Sequence, residues 1–158
     1  MIDKVTIHCS ASKNGKPWSA ESIRKMHMSP PRNWRDIAYH YILQPDGTVE
    51  NGRALNVTGA HVKGHNKNNV GFCFIGTDKF SKAQFNSFKY KFDGLKLTYN
   101  LNPWNIYCHY EFDTAIKQGK SCPNIRNVDL VSWYILQDDK IIEKYLIEDD
   151  FIQRFQNR

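Results

Sequence analysis

Three residues far apart in the chain have the chemistry of a zinc site. His8 closes one short β-rich run, His109 closes another, and Cys122 follows the second after Gly119-Lys120-Ser121 and precedes Pro123. Two imidazoles and a thiolate suit Zn2+, which takes nitrogen and sulfur donors in a tetrahedron and in catalytic sites leaves one position to water. Such an ion lowers the pKa of its water towards about 7 and polarises a carbonyl, so the chemistry on offer is hydrolysis. Spacing alone does not single these residues out. A lone histidine is more often a satisfied core or surface residue than a ligand, and ligands from separate elements have no fixed interval. A buried reduced thiol is the ordinary reading of Cys9, Cys73, Cys108 and Cys122, which form no C-x-x-C pair.

The elements that must carry these groups can be read from pattern. Val5-Thr6-Ile7-His8 is a short strand ending in the polar run Ser10-Ala11-Ser12. Ser19 caps a helix through Ile23 and Met26 that stops at Pro30-Pro31, with His27 on its surface. Ile37 to Gln44 reads as a strand, Asp46-Gly47 as its turn, and Thr48-Val49-Glu50 as the returning strand of a hairpin. Val70 to Ile75 is nearly all apolar, as in a strand covered on both faces. Ser81-Lys82-Ala83-Gln84 matches a capping box, and Phe85, Phe88, Phe92, Leu95 and Tyr99 then recur at helical spacing; this aromatic stripe reads as core. Ile106 to His109 is a strand, and Asp129 caps a helix to about Leu136. By strand alternation Cys9 and Cys108 point away from the face shared by His8 and His109, and His40 faces away from Tyr39. His65 falls in a polar loop.

The expectation is one α/β domain over 1–158, a central mixed sheet of about five strands flanked by about three helices. Its core runs from about 3 to 146, with a solvated helix or tail over 147–158. The chain carries 22 Lys plus Arg against 16 Asp plus Glu, a net charge of +6, which favours polyanions without choosing among nucleic acid, anionic wall polymer and phospholipid. Nucleic-acid binding is the weakest of these, since neither a recognised motif nor an Arg/Lys stripe is present. The first residues carry Asp3 and Lys4 where a secretory signal needs an apolar run, and no stretch could span a bilayer, so the expected starting compartment is the cytoplasm.

A resemblance goes further. Ile7-His8-Cys9-Ser10-Ala11-Ser12, Ile37-Ala38-Tyr39-His40-Tyr41, Asp46 to Arg53, Gly59-Ala60-His61, Asn69-Val70-Gly71-Phe72, His109-Tyr110-Glu111 and Lys120-Ser121-Cys122-Pro123 follow one another as the motifs of a family. In that order they resemble the type 2 N-acetylmuramoyl-L-alanine amidases, which include amidase-type phage lysozymes and the peptidoglycan recognition proteins. The likeness runs from His8 to roughly Asp129.

The resemblance implies one zinc ion per chain on His8, His109 and Cys122, a catalytic tyrosine at Tyr39, a catalytic lysine at Lys120, and His61 near the cleft mouth in contact with substrate. It implies an amidase cutting between N-acetylmuramic acid and the L-alanine of the stem peptide. An endolysin is the favoured role, a monomer released by a holin or lysis to act on peptidoglycan. The runner-up is a recognition module that binds wall fragments without cutting; such proteins typically lack the ligand that Cys122 supplies here. Ala38 departs from the glycine that relatives often have before the tyrosine, which bears on substrate preference. Some phage relatives also engage a polymerase, a role on which this sequence is silent. If basic charge guides the protein to an anionic envelope, lytic activity is expected to fall as salt rises. Turbidity loss of a wall suspension from low to high salt checks this, and a flat response would count against it.

Overall fold

The computed structural model describes residues 1–148, and its central element is β1 (Lys4–Cys9). It pairs in parallel with β4 (Asn69–Phe74) on one side and β5 (Ile106–Cys108) on the other. Beyond β4 lies β2 (Tyr41–Leu43), also parallel, and at the far edge β3 (Val49–Asn51), antiparallel to β2. The order is β3-β2-β4-β1-β5, a mixed five-stranded sheet in a single α/β domain.

Strands without a polar face need cover on both sides, and the helices supply it. Val5, Ile7 and Cys9 of β1 and Val70, Phe72 and Phe74 of β4 face a core closed by α2 (Lys82–Tyr99) through Phe85, Phe88 and Phe92, and by α4 (Asn127–Leu136) through Leu130 and Trp133. The opposite face is smaller: Ile42, Cys73 and Ile75 pack with Ile37 and with Ala20 and Ile23 of α1 (Ala20–Met28). Among the described residues no helix is long and apolar enough to cross a membrane.

Local signals explain the helix ends. Ser19 caps α1 by accepting from Ser22 N, and the Ser81/Gln84 capping box begins α2. The hairpin turn closes with Gln44 N donating to Thr48 O at 2.9 Å and Gly47 N to Gln44 O at 2.8 Å. Four expectations are corrected. The strand from Ile37 shrinks to β2, because the backbone before it pairs with a neighbouring loop: Arg53 N donates to Tyr39 O at 2.9 Å and Ala60 N to Ala38 O at 3.0 Å. The cap of α4 is Arg126, not Asp129, because tyrosine hydroxyls take its first N–H groups, Tyr145 from Arg126 N at 3.1 Å and Tyr110 from Asn127 N at 2.8 Å. Asp129 is instead the acceptor for the Tyr145 hydroxyl at 2.6 Å. A short helix α3 (Asp113–Lys117) has no counterpart among the expected elements, its five residues being too few for an apolar period. His27 is not on the surface: it lies one helical turn beyond Ile23 on the buried face of α1, only 4% exposed. The expected C-terminal helix or tail falls, from residue 149 on, outside the described residues.

Gln84 joins these layers. Its amide, fully buried, donates to Leu43 O and Ile75 O at 2.9 Å each, while its carbonyl accepts from Ser81 N at 2.8 Å. Gln84→Ala is expected to strip Ile75 O and Ser81 N of these partners, while Leu43 O keeps its bond from Ile75 N at 3.1 Å, and to cost about 2 to 4 kcal/mol. Urea unfolding of the variant measures this, and a loss under about 0.5 kcal/mol would contradict the account.

Candidate metal centre

Alternation along β1 divides its side chains between the two faces: Val5, Ile7 and Cys9 enter the larger core, while His8 turns to the other. His109 begins a short 3-10 turn immediately after β5, pinned where Cys108 N donates to the Glu111 carboxylate at 2.6 Å. Cys122 lies beyond α3 on a loop tied back to that turn, with Tyr110 N donating to Cys122 O at 3.1 Å. These arrangements bring His8, His109 and Cys122 together: one donor atom from each lies within 4.8 Å of the others, the sole such grouping among the described residues. His8 Nδ1 stands 3.9 Å from Cys122 Sγ, and the two histidine rings are 4.5 Å apart, centre to centre.

Cys9 and Cys108 are buried, as the alternation predicts, with Cys108 Sγ facing Ile125 O at 3.6 Å. Cys9 sits close enough to the site that its backbone N donates to Cys122 Sγ at 3.1 Å.

Burial makes this a site of neutral imidazoles. His8 is held well below the ordinary imidazole range by burial first, then by His61 and His109 beside it. His109 is lowered by burial and further by the charge of Lys120. Both rings therefore offer bare nitrogens at neutral pH. The Cys122 thiol is pushed up by its hydrogen bond with the Cys9 sulfur and by burial, so it keeps its proton until a cation displaces it.

The three donors open on a cleft of about 500 Å³ whose walls include Tyr39, Lys120, Arg32 and Trp34. Tyr39 is half-buried, its ring 5.2 Å from that of His8, and burial holds its hydroxyl well above the ordinary phenol range. Lys120 is exposed on the loop leading to Cys122, its backbone N donating to Ala115 O at 3.0 Å. His61 is expected near the cleft mouth. It borders the cleft but is only 6% exposed, with Nδ1 3.0 Å from His8 Nε2 and Nε2 3.1 Å from Asn69 O.

Among the remaining histidines, His40 is structural, its Nδ1 accepting from Gly71 N at 3.0 Å and its Nε2 bonded to Val57 O at 2.9 Å. His65 pairs with Asp113 at 2.7 Å in its polar loop. His27 accepts from Ala38 N at 3.1 Å and places its ring 5.7 Å from that of Tyr39. Two residues of the site region had no sequence signal. Asn66 accepts from the backbones of His61 and Val62 at 2.8 Å each, and Asn124 donates to Thr77 O at 2.8 Å beside Cys122. Both lie in polar loops where an asparagine is ordinary.

Residues 1–125 match the family model for N-acetylmuramoyl-L-alanine amidase. The chain belongs to that family. It is 32% identical over 139 residues to the endolysin of Klebsiella phage KP32, a match covering 83% of this chain and 84% of that one. It is 40% identical over 74 residues to the endolysin of Escherichia phage T7, a match covering 47% of this chain and about half, 48%, of that relative. The N-acetylmuramoyl-L-alanine amidase LysC from Clostridium intestinale URNW shares the fold, with a TM-score of 0.71 at 21% identity over 85% of each chain.

The buried rings generate a pH prediction. Below about pH 6.5 the unfolded chain protonates its imidazoles, whereas the folded chain resists down to about 4 at His27 and about 3 at His61, chiefly through burial. The unfolded state binds more protons in that window, so stability is full above about 6.5 and falls as pH drops towards those values. His61 alone accounts for about 2 kcal/mol lost between about pH 7 and pH 5. Urea midpoints of chelator-treated protein measure the loss; equal midpoints at the two pH values would contradict it.

Proposed function

We propose that this amidase is zinc-dependent, with one ion per chain on His8, His109 and Cys122, and that it cleaves between N-acetylmuramic acid and the L-alanine of the stem peptide. The observation that carries the reading is that the three-donor cluster opens on the cleft that also presents Tyr39 and Lys120. The donors fit the ion. Tetrahedral zinc with nitrogen and sulfur ligands spaces its donors by about 3.4 to 3.7 Å, and the 3.9 Å from His8 Nδ1 to Cys122 Sγ needs only a small contraction. When bound there, zinc supplies the Lewis acidity that makes a water nucleophilic near neutral pH and draws charge from the amide carbonyl.

The remaining work falls to the chain. Lys120, two residues before a ligand, presents its ammonium to the oxyanion that grows as the carbonyl is attacked. Tyr39 stays protonated, because burial disfavours its phenolate, and so acts as a hydrogen-bond donor to the same charge. The departing amine needs a proton, for which Tyr39, Lys120 and water are the candidate donors. His61 supports the reading from behind His8 and is assigned no direct substrate contact.

The phage relatives support the endolysin reading, and the proposal has such a protein accumulate in the cytoplasm and reach the wall after holin-type release. One chain carries every group required, so a monomer suffices. A peptidoglycan-binding module without catalysis is the second reading, and the presence of Cys122 as a third donor favours catalysis over it.

Incubation with purified sacculi is expected to release new N-terminal alanine; binding without release would favour the second reading. Cys122→Ser is expected to lose stoichiometric zinc. Lys120→Ala and Tyr39→Phe are expected to keep zinc while turnover falls by roughly 10²- to 10³-fold. Metal content and rate measured on each variant check the roles, and full activity in both of the last two would overturn their assignment.

A further inference from the structure

His61 stands on the far side of the His8 ring from Cys122, edge-on to it at 88° with ring centres 5.0 Å apart. We propose that His61 is a positioning residue that fixes His8 in the tautomer a metal requires; the inference rests on the zinc reading of the same cluster.

The argument starts from an atom that cannot donate. Asn69 O is a backbone carbonyl, so the 3.1 Å contact from His61 Nε2 requires the hydrogen on that nitrogen. In a neutral ring the other nitrogen is then bare, and His61 Nδ1 accepts. Its partner at 3.0 Å, His8 Nε2, must carry the hydrogen of that bond. His8 Nδ1 is left bare and faces Cys122 Sγ. One carbonyl on β4 thus sets the direction of two successive hydrogen bonds and aims a lone pair into the metal position. In metal sites, the partner on a ligand imidazole's other nitrogen fixes its tautomer and orientation in this manner.

The surroundings of His61 are shaped to hold the ring. A Cβ on Gly71 would lie 2.8 Å from the ring's Cγ and Cδ2, and one on Gly59 would lie 2.6 Å from Cδ2, so only glycine leaves room at either position. Asn66 Oδ1 holds the loop by accepting from the backbones of His61 and Val62. The anchoring residue is itself fixed: Thr6 Oγ1 donates to Asn69 Oδ1 and Asn69 Nδ2 to His65 O, each at 2.9 Å.

Two measurements test this. In metal-free wild-type protein at neutral pH, long-range 15N–1H correlation spectra of the imidazoles are expected to show the hydrogen on Nε2 of both His8 and His61. A His8 ring with its hydrogen on Nδ1 would overturn the proposal, whether or not the protein binds zinc. Competition with a chelator is expected to show zinc affinity roughly 10- to 100-fold weaker in His61→Phe, which keeps a ring and removes both nitrogens. His61→Gln, which keeps one acceptor and one donor, is expected to recover part of that loss. If a folded His61→Phe bound zinc within twofold of wild type, the positioning role would be refuted. Should His61→Phe not fold, the His61→Gln affinity and the wild-type spectra decide. A wild type that binds no zinc, yet shows the expected tautomers, would instead remove the zinc reading and leave the relay standing.

Discussion

The two-residue period of β1 is the constraint on which the rest depends. Flanked in parallel by β4 and β5, this strand has no solvent face, and each side chain must satisfy one of two interiors. Val5, Ile7 and Cys9 join the core under α2 and α4, where the cost of a polar group is high. Thr6 and His8, buried on the opposite face, are polar and bonded, to Asn69 and His61 respectively. A single strand therefore separates the apolar work of folding from the polar work of the site, with one residue between them.

That separation explains the electrostatics of the centre. Four of the six histidines are buried, His8, His27, His40 and His61, and each is held below the ordinary imidazole range with burial as the leading cause. A cluster of cationic rings could not persist there. Neutral rings can, provided that each nitrogen finds a donor or acceptor, and backbone groups serve repeatedly: Ala38 N for His27, Gly71 N and Val57 O for His40, Asn69 O for His61. The exposed charges on the cleft wall, Lys120 and Arg32, stay where water reaches them.

Much of this was legible in the sequence because the signals are local. The Ser19 cap, the Ser81 to Gln84 box, the apolar run at β4 and the Asp46-Gly47 turn each act over a few residues, and each names its element directly. What escaped depends on partners distant in the chain. Arg126 heads α4 because Tyr145 and Tyr110 bring hydroxyls to its first turn. The Ile37 strand is cut short because Arg53 and Ala60 claim its carbonyls. His27 could be placed on α1 but not on a face, since a nine-residue helix with few apolar residues leaves its buried side ambiguous. The site was legible only in part for the same reason. Resemblance marks a position such as His61, but which ring atom faces which neighbour is settled by a carbonyl eight residues away on another element.

Each donor of the centre takes its aim from a backbone atom. Asn69 O on β4 orients His8 through His61, Cys9 N on β1 donates to the Cys122 sulfur, and Cys108 N on β5 pins the turn that carries His109. These three atoms belong to adjacent strands, so their relative positions are those of the sheet's register, Ile7 opposite Phe72 and Cys108. A slip of one residue in β1 would turn His8 into the apolar core and bring Ile7 to the cleft, destroying core and centre together. The geometry of the site therefore needs little stabilisation of its own. It is inherited from a register that the buried phenylalanines of β4 and α2 already enforce.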